Sequence, residues 1–171
     1  MLYTRRGDDG STGTFGCDQR IGKDSNLAEA LGTVDEINSL LGVCKVKSDS
    51  ETAKILESAQ QTLFIIQAEL AGAKQTVGEE RLRAVEKVID DAERILPPIT
   101  TFFVSGGTEL AALLDFARTV ARRAERRVVA CAESTIGKYS LAYLNRLSSL
   151  LYALARLTNH KAGIKETSPQ Y

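Results

Sequence analysis

The chain has 171 residues, of which 43% are hydrophobic and 26% charged, proportions typical of one soluble globular domain with a substantial core. Lys+Arg and Asp+Glu both number 22, so the net charge excludes a global attraction to nucleic acid or to an anionic membrane. No apolar run is long enough to span a membrane and the first residues lack a signal-peptide core, so we expect a cytoplasmic protein.

Cysteine and histidine are too sparse for a metal centre built from side chains. Cys17, Cys44 and Cys131 lie far apart and form no CxxC pair, which favours reduced thiols. His160 is the only histidine, and this argues against a zinc site, a di-iron bundle and a Ser–His or Cys–His nucleophile. We therefore predict no metal ligands among the side chains.

The predicted elements are a polar arm followed by helices. Residues 1–25 are rich in Gly, Asp, Ser and Thr and are expected to form a loop or arm. Ser48 and Glu51 match a capping box before the second helix, Pro97-Pro98 ends the third, and residues 161–171 form a polar tail expected to fray. Apolar residues recur at the spacing of a buried helical face in five segments: 27–44, 56–70, 79–96, 108–133 and 139–159. The pattern predicts a single-domain, all-α, five-helix bundle of up-down type with a glycine-rich N-terminal arm.

The N-terminal segment Tyr3–Gly16 combines glycines with hydroxyl and acidic side chains. Glycines let backbone N–H groups approach phosphate oxygens closely, and Ser and Thr donate further hydrogen bonds. The segment lacks the Gly-Lys-Ser/Thr ending and the preceding strand of a Walker A loop. A phosphate-binding loop and an arm without a ligand both fit this composition, and Lys23 fits either a phosphate contact or a surface charge.

The first helix contains Asp35 and Asn38 one turn apart, beside its apolar face, so both are expected to be partly buried. A buried carboxylate needs a partner, and an arginine of the fourth helix is the natural candidate. A helix–helix salt bridge and a catalytic role are both compatible with Asp35. Gly32 in the same helix costs about 1 kcal/mol relative to alanine, which indicates close packing there.

The fourth helix carries five arginines within ten residues, from Arg118 to Arg127. At 100° per residue, Arg118, Arg122 and Glu125 fall on one stripe along the border of the apolar face. The remaining arginines point to solvent or flank the opposite border: Arg123, Arg126 and Arg127. Arginine matches phosphate oxygens well, so the stripe indicates an anion site. A solvated basic face is the alternative interpretation.

Two further segments carry candidate contacts. The glycines Gly106 and Gly107 precede a helix and can expose its N-terminal amides to an anion, while Phe102 fits either the core or the wall of a cofactor site. In the last helix, Asn145, Ser148 and Tyr152 share one face, where an amide can read a base or a ribose or simply pack.

These segments, in this order, resemble the PduO-type corrinoid adenosyltransferases, the ATP:cob(I)alamin adenosyltransferase family. The resemblance extends from Tyr3 to about Asn159. It rests on five strings: Tyr-Thr-x-x-Gly-Asp-x-Gly at 3–10, Gly-Thr-Val-Asp-Glu-x-Asn-Ser at 32–39, Gly-Gly-Thr at 106–108, Arg-Thr-x-x-Arg-Arg-Ala-Glu-Arg-Arg at 118–127 and Tyr-Leu-Asn-Arg-Leu-Ser at 143–148. The chain departs from the usual family pattern at four positions: Ser105, Asp115, Ala121 and Ser149.

The resemblance implies an enzyme that transfers the 5′-deoxyadenosyl group of ATP to cob(I)alamin and releases triphosphate, working as a homotrimer with sites between subunits. Asp35 is implied to pair with Arg118 across the subunit boundary, and Phe102 to close the lower face of the corrin ring. The resemblance thus implies four catalytic residues: Asp35, Phe102, Arg118 and Arg122. The implied contacts of ATP and its Mg²⁺ lie in the arm and on two helices: Thr4, Gly7, Asp8, Gly10, Ser11, Thr12, Lys23, Arg118, Arg122, Glu125 and Asn145. A reductase or an adenosylcobalamin-dependent enzyme is the expected protein partner.

Two other classes of protein stay open at this point. A protein that binds and delivers ATP or a corrinoid without catalysis would carry the same contact residues. A helical interaction protein would use its arginines only for salt bridges between subunits. Nucleic-acid binding is disfavoured, because the charge is balanced and no aromatic residues interleave the arginines.

Overall fold

Five α-helices follow a small antiparallel sheet in the computed structural model, which describes residues 2–14, 20–131 and 136–170. The strands are β1 (Ser11–Gly13) and β2 (Arg20–Gly22). The helices are α1 (Asn26–Val46), α2 (Ser50–Leu70), α3 (Glu79–Ile95), α4 (Glu109–Cys131) and α5 (Lys138–Lys161). The predicted all-α bundle of five helices is confirmed, and the two short strands are an addition to it.

The arginine-bearing helix α4 is the centre of the bundle. It packs along α1 on one side and α5 on the other, while α2 lies mainly against α1 and α3 mainly against α5. Its buried face is made largely of small residues, which allow the neighbouring helices to approach closely. The buried residues of this face include Ala111, Leu114, Ala117, Val120, Ala121, Ala124 and Val128.

The start of α2 differs from the sequence prediction. Asp49 is the N-cap residue, and its carboxylate accepts a hydrogen bond from the Thr52 N–H at 2.7 Å, which lowers the pKa of Asp49. Ser48 instead donates its hydroxyl to the Lys45 carbonyl at 2.8 Å. The predicted capping box of Ser48 and Glu51 is therefore wrong by one residue, because Asp and Ser are nearly equivalent as N-cap residues.

The arm is folded on itself. β1 and β2 pair antiparallel, with Thr12 opposite Ile21, and the Lys23 N–H donates to the Gly10 carbonyl at 2.9 Å. Gly10 has φ +82°, a left-handed conformation that glycine adopts without strain. Strands of three residues leave no readable alternation in a sequence, so the pattern did not indicate them. The end of the predicted phosphate-binding segment, Phe15 and Gly16, lies outside the described residues, as does Cys17.

The C-terminal tail also differs from expectation. Beyond α5 the chain has no regular secondary structure, yet residues 162–170 are tied to the bundle at two points. The Glu166 carboxylate accepts hydrogen bonds from the buried Arg156 at 2.6 and 2.8 Å, and the Thr167 carbonyl accepts one from the Val104 N–H at 2.8 Å. The polar composition of the tail predicted that it frays, because the sequence alone does not show that a buried arginine of α5 binds Glu166.

Cys44 of α1 is fully buried, and this burial raises the pKa of its thiol to about 11. The thiol therefore stays protonated at neutral pH and is a core residue rather than a reactive one. Within the described part of the chain, no helix is both long and apolar enough to cross a membrane.

Glu69 is a buried carboxylate that joins α2 to the start of α5. It accepts hydrogen bonds from the Thr76 hydroxyl at 3.0 Å, the Gly137 N–H at 2.5 Å and the Ser140 hydroxyl. Because removing it leaves buried donors unpaired, Glu69→Ala is expected to lower the free energy of unfolding by about 2–4 kcal/mol in urea titrations. Glu57→Ala, at an exposed position of the same helix, is the control. Equal unfolding midpoints for the two variants would contradict this role.

Candidate active site

A cavity of about 570 Å³ opens between the segment 99–103, α4 and α5. Its volume lies within the range of small-molecule sites. The lining combines exposed apolar side chains, hydroxyl groups and two guanidinium groups: Ile99, Thr100, Thr101, Phe102, Phe103, Arg118, Arg122, Ser148, Ser149 and Tyr152. Three predicted site residues, Phe102, Arg118 and Arg122, thus come together from two separate parts of the sequence.

The arginines of α4 divide between two sides of the helix, as the helical spacing predicts. Arg118 and Arg122, one turn apart, line the cavity. Two arginines on the opposite border form ion pairs with acidic residues of α1: Arg123 with Glu36, and Arg127 with Glu29. One border of α4 therefore fastens the bundle, and the other brings positive charge to the cavity.

Arg118 is held in place by two neighbours. Its Nε donates to the Asp115 carboxylate at 3.0 Å, and its guanidinium lies over the Tyr152 ring, 5.7 Å from the centroid. Asp115 is only 9% exposed, so this carboxylate is a structural anchor rather than a surface charge. One of the four departures from the usual family pattern, Asp115, thus fixes the direction in which the Arg118 guanidinium points.

Glu125 and Asn145 meet beside this arginine stripe. The Asn145 amide donates to the Glu125 carboxylate at 2.9 Å, and its carbonyl oxygen accepts from Arg146 at 2.9 Å. Arg146 is in turn paired with Glu86 of α3 at 2.9 Å. The orientation of the amide is thereby set by three helices, which suits a group that reads a polar ligand.

Phe102 is 79% exposed, an unusual environment for a phenyl ring. Ile99 and Val104, on either side of it along the chain, are also more than half exposed. Apolar groups that gather at an exposed surface mark a place where a ligand or partner covers them. Of the two interpretations that the sequence leaves open, the structure places Phe102 in the wall of a cavity and not in the core.

Arg156 was missed by sequence reasoning, although it lies one turn after Tyr152 on the face noted there. It is 6% exposed, and its guanidinium stacks 5.1 Å from the Phe103 centroid and 5.9 Å from that of Tyr152. Burial raises the pKa of Tyr152, and the hydrogen bond with Glu166 raises that of Arg156. The sequence did contain a signal for this residue, because an arginine within the apolar repeat of α5 indicates a buried charge that needs a partner.

The double glycine before α4 is not an open anion site. Gly106 and Gly107 have φ +139° and +96°, and the Thr108 N–H, at the start of α4, donates to the Asn159 side chain at 2.9 Å. Asn159 also donates to the Gly106 carbonyl at 2.8 Å. A side chain of α5 therefore occupies one amide that was expected to face an anion. Ser105, a departure from the family pattern, lies in this same turn.

The arm gathers several of its candidate phosphate contacts. The Lys23 ammonium donates to the Gly7 carbonyl at 2.8 Å, and Asp8 lies in the turn that follows. The Ser11 hydroxyl donates to Asp9 at 2.7 Å, and this bond lowers the pKa of that carboxyl. Two threonines lie at the ends of this group: Thr4, whose hydroxyl accepts from the Arg6 N–H at 3.4 Å, and Thr12 in β1.

Asp35 differs from expectation. It is exposed, whereas Asn38 is 4% exposed, and the Asp35 carboxylate accepts a hydrogen bond from Gln67 of α2 at 3.4 Å. The predicted salt bridge with an arginine of α4 is wrong within the chain, because Asp35 faces outwards and its neighbour Glu36 makes that contact. A Cβ at Gly32 would meet open space, so the close packing expected there is absent within this described helix.

The two groups of candidate residues are apart in one copy of the chain. Within the described ranges, every residue lining the 570 Å³ cavity comes from the segment 99–103, α4 or α5, and none from the arm. The described residues also contain no group of three or more His, Cys, Asp or Glu side chains placed to hold a metal ion.

The family model for cobalamin adenosyltransferase matches residues 2–158. The corrinoid adenosyltransferase PduO of Salmonella typhimurium is 40% identical over 183 residues, covering 99% of this chain and 54% of the relative. A corrinoid adenosyltransferase of Citrobacter freundii is 39% identical over 177 residues, covering 98% and 96%. The chain thus spans about half the length of the PduO proteins from Salmonella typhimurium and Citrobacter freundii. It spans nearly the whole length of the second, shorter corrinoid adenosyltransferase of Citrobacter freundii.

The fold comparison agrees with the sequence comparison. A variant of the PduO-type ATP:corrinoid adenosyltransferase from Lactobacillus reuteri, solved with cobalamin and ATP, superposes with a TM-score of 0.93 at 32% identity, covering 99% of this chain and 97% of that one. The matched region includes the arm, α1, the double glycine and both helices that line the cavity. With sequence, fold and motif order in agreement, the chain belongs to the cobalamin adenosyltransferase family.

Proposed function

We propose that this chain transfers the 5′-deoxyadenosyl group of ATP to cob(I)alamin, forming adenosylcobalamin and releasing triphosphate. The observation that carries the proposal is the cavity lined by both Phe102 and the arginine pair Arg118 and Arg122. It offers an apolar wall to a corrin ring and a cationic wall to departing phosphates. Support for the two substrates comes from the Lactobacillus reuteri relative, which was solved with cobalamin and ATP.

The reaction uses a nucleophile that the substrate supplies. Cobalt in the +1 state attacks the ribose C5′, so a Co–C bond forms while the C5′–O bond breaks and triphosphate leaves with its electron pair. Negative charge grows on the departing oxygen, and Arg118, Arg122 and Lys23 stabilise it. Glu125 and Asn145, held against each other, orient the nucleoside. No activated serine, cysteine or histidine is needed.

In this proposal the arm binds the triphosphate. Backbone amides at Gly7 and Gly10, the side chains of Asp8 and Lys23, and the hydroxyls of the neighbouring Thr and Ser residues provide its polar contacts: Thr4, Ser11 and Thr12. Mg²⁺ bound with ATP would neutralise phosphate charge beside these arm residues.

The complete site needs more than one copy of the chain. The arm does not line the arginine cavity of its own protomer, and Asp35 presents an exposed carboxylate on the outer face of α1. A homotrimer with sites between subunits brings the arm of one copy to the cavity of the next. Asp35 then pairs with the partner subunit's Arg118.

This assembly predicts that a charge reversal at Asp35 weakens the trimer. Asp35→Arg places a cation against the partner subunit's Arg118, so the dissociation constant of the assembly is expected to rise about tenfold or more. Sedimentation velocity over a dilution series measures it. Asp90→Arg, an equal change of charge at an exposed position of α3, is the control. A monomeric wild type, or identical dissociation of both variants, would contradict the assembly.

The surroundings of the reaction follow from its chemistry. Cob(I)alamin must be generated by one-electron reduction, so a reductase is an expected partner, and an adenosylcobalamin-dependent enzyme is the expected recipient of the product. We place the protein in the cytoplasm, without nucleic-acid or membrane partners.

The direct test is anaerobic. The protein is mixed with chemically reduced cob(I)alamin and MgATP, the absorbance change is followed, and triphosphate is assayed afterwards. Light-sensitive adenosylcobalamin with one equivalent of triphosphate is the expected result. Phosphate plus pyrophosphate would indicate a different leaving group. ATP binding without any turnover would favour a protein that binds and delivers its ligands, and the proposal would fail.

A further inference from the structure

Arg156 occupies a place that the proposed reaction does not use. It is 6% exposed, near the C-terminal end of α5, and it donates from Nε and Nη2 to the two carboxylate oxygens of Glu166 at 2.6 and 2.8 Å. Two parallel hydrogen bonds of this kind are the strongest and most direction-specific contact that an arginine makes. This pair, in which the arginine is buried and the glutamate is partly exposed, fixes the tail on the bundle.

The same guanidinium also holds the segment that carries Phe102. Its Nη2 donates to the Pro97 carbonyl at 3.0 Å, where the segment begins, and its plane lies over the Phe103 ring at 5.1 Å. The tail adds a backbone hydrogen bond at 2.8 Å from the Val104 N–H to the Thr167 carbonyl. Phe102 itself is exposed and lies in the cavity wall, next in the chain to Phe103.

We infer that Arg156 and Glu166 are a positioning pair, which holds segment 97–104 and thereby sets where Phe102 stands against the corrin ring. The inference rests on the proposed function for the identity of the ligand. Because cobalt(I) carries no axial ligand, the pair does not act on the transfer of the adenosyl group. It acts on the preceding step, in which cob(II)alamin must lose its lower ligand before a reductant can supply an electron.

The neighbouring contacts favour this assignment over general stabilisation of the fold. The Arg156 guanidinium lies 5.9 Å from the centroid of the Tyr152 ring, and the cavity residue Arg118 lies 5.7 Å from the same centroid, so the pair is next to the cavity wall. Glu166 lies on the tail, outside all five helices, so its replacement changes no residue of the helical core. The pair therefore connects to the corrinoid side of the site, and its hydrogen bonds among the described residues go to the tail and to segment 97–104.

The test uses Glu166→Gln and Arg156→Lys, with Arg83→Lys as the control because Arg83 pairs with Glu79 at 2.5 Å at an exposed position of α3. Gln keeps the shape of Glu166 without its charge, and Lys keeps a charge but loses the two-pronged geometry. From cob(II)alamin with a chemical reductant, both variants are expected to lose about tenfold in kcat/KM. From pre-reduced cob(I)alamin, they are expected to stay within about twofold of the wild type.

Three readouts do not depend on turnover. Hydrogen exchange at residues 99–105 is expected to quicken in both variants, and the electron paramagnetic resonance signal of cob(II)alamin bound with ATP is expected to keep its lower-ligand splitting. ATP affinity, measured by calorimetry, is expected to be unchanged. Equal losses from Co(II) and Co(I), or unchanged exchange at 99–105, would overturn the positioning role. Absence of wild-type turnover would count against the proposed function alone, because the exchange measurement still decides the contact.

Discussion

Replacing Arg122 by alanine is expected to lower turnover of cob(I)alamin and MgATP by about 100-fold or more. The reason is that Arg122 and Arg118 are the guanidinium groups that line the cavity, where the proposed reaction develops charge on the leaving triphosphate. Steady-state rates at saturating corrinoid and ATP measure the effect, and circular dichroism shows that the helix is retained. Arg122→Lys is expected to recover part of the rate, since it restores charge without the planar fork.

The control for this experiment is Arg83→Ala, which removes an exposed arginine of α3 far along the chain from the cavity lining. We expect that variant to keep wild-type rates. If Arg122→Ala retained activity within about threefold of the wild type, Arg122 would leave the catalytic set. The electrostatic account of the leaving group would then rest on Arg118 and Lys23.

Replacing Phe102 by alanine is expected to separate reduction from transfer. The ring is an exposed apolar wall of the cavity, and an apolar wall below the corrin excludes the lower axial base or water. We expect turnover from cob(II)alamin and a chemical reductant to fall by about 100-fold. Turnover from cob(I)alamin is expected to fall by less than about tenfold, because that state needs no ligand displaced. Anaerobic assays from each oxidation state measure the two values.

Phe116→Ala is the matched control, since this phenylalanine of α4 is 56% exposed but does not line the cavity. It is expected to leave both rates unchanged. Equal losses from Co(II) and Co(I) in Phe102→Ala would show that the ring serves corrinoid binding in general. That result would contradict the prediction that Phe102 acts specifically on the reduction of cob(II)alamin.

The helices and the direction of the arginines were within reach of the sequence. Apolar residues every three or four positions define each buried face, and the angle between residues then separates Arg118 and Arg122 from Arg123 and Arg127. The same angular reasoning was less accurate for Asp35. A carboxylate at the edge of an apolar face can turn either way, and here Glu36, one residue further, takes the contact with α4.

Contacts between distant segments were out of reach. No local pattern connects Glu166 with Arg156, or Asn159 with the double glycine, because each contact depends on where the helices end in space. The prediction that the tail frays was wrong for the same reason, because the polar composition of the tail does not reveal its contact with Arg156. The N-cap at Asp49 was a different kind of error, a choice between two adjacent residues of similar propensity. Assembly of the arm with the cavity stays a prediction.

The attachment of α3 has a consequence for local unfolding. This helix lies mainly against α5, and Val85 and Ala92 are its buried residues. Helices with few buried contacts open at a lower free energy than the rest of a domain. Pro97 follows α3 almost directly, but its carbonyl is held by Arg156 of α5, so the segment that bears Phe102 stays fastened to α5 when α3 opens. The wall that Phe102 forms therefore follows the helix with the fewest buried residues but is anchored on α5, while Arg118 and Arg122 belong to a helix packed on two sides.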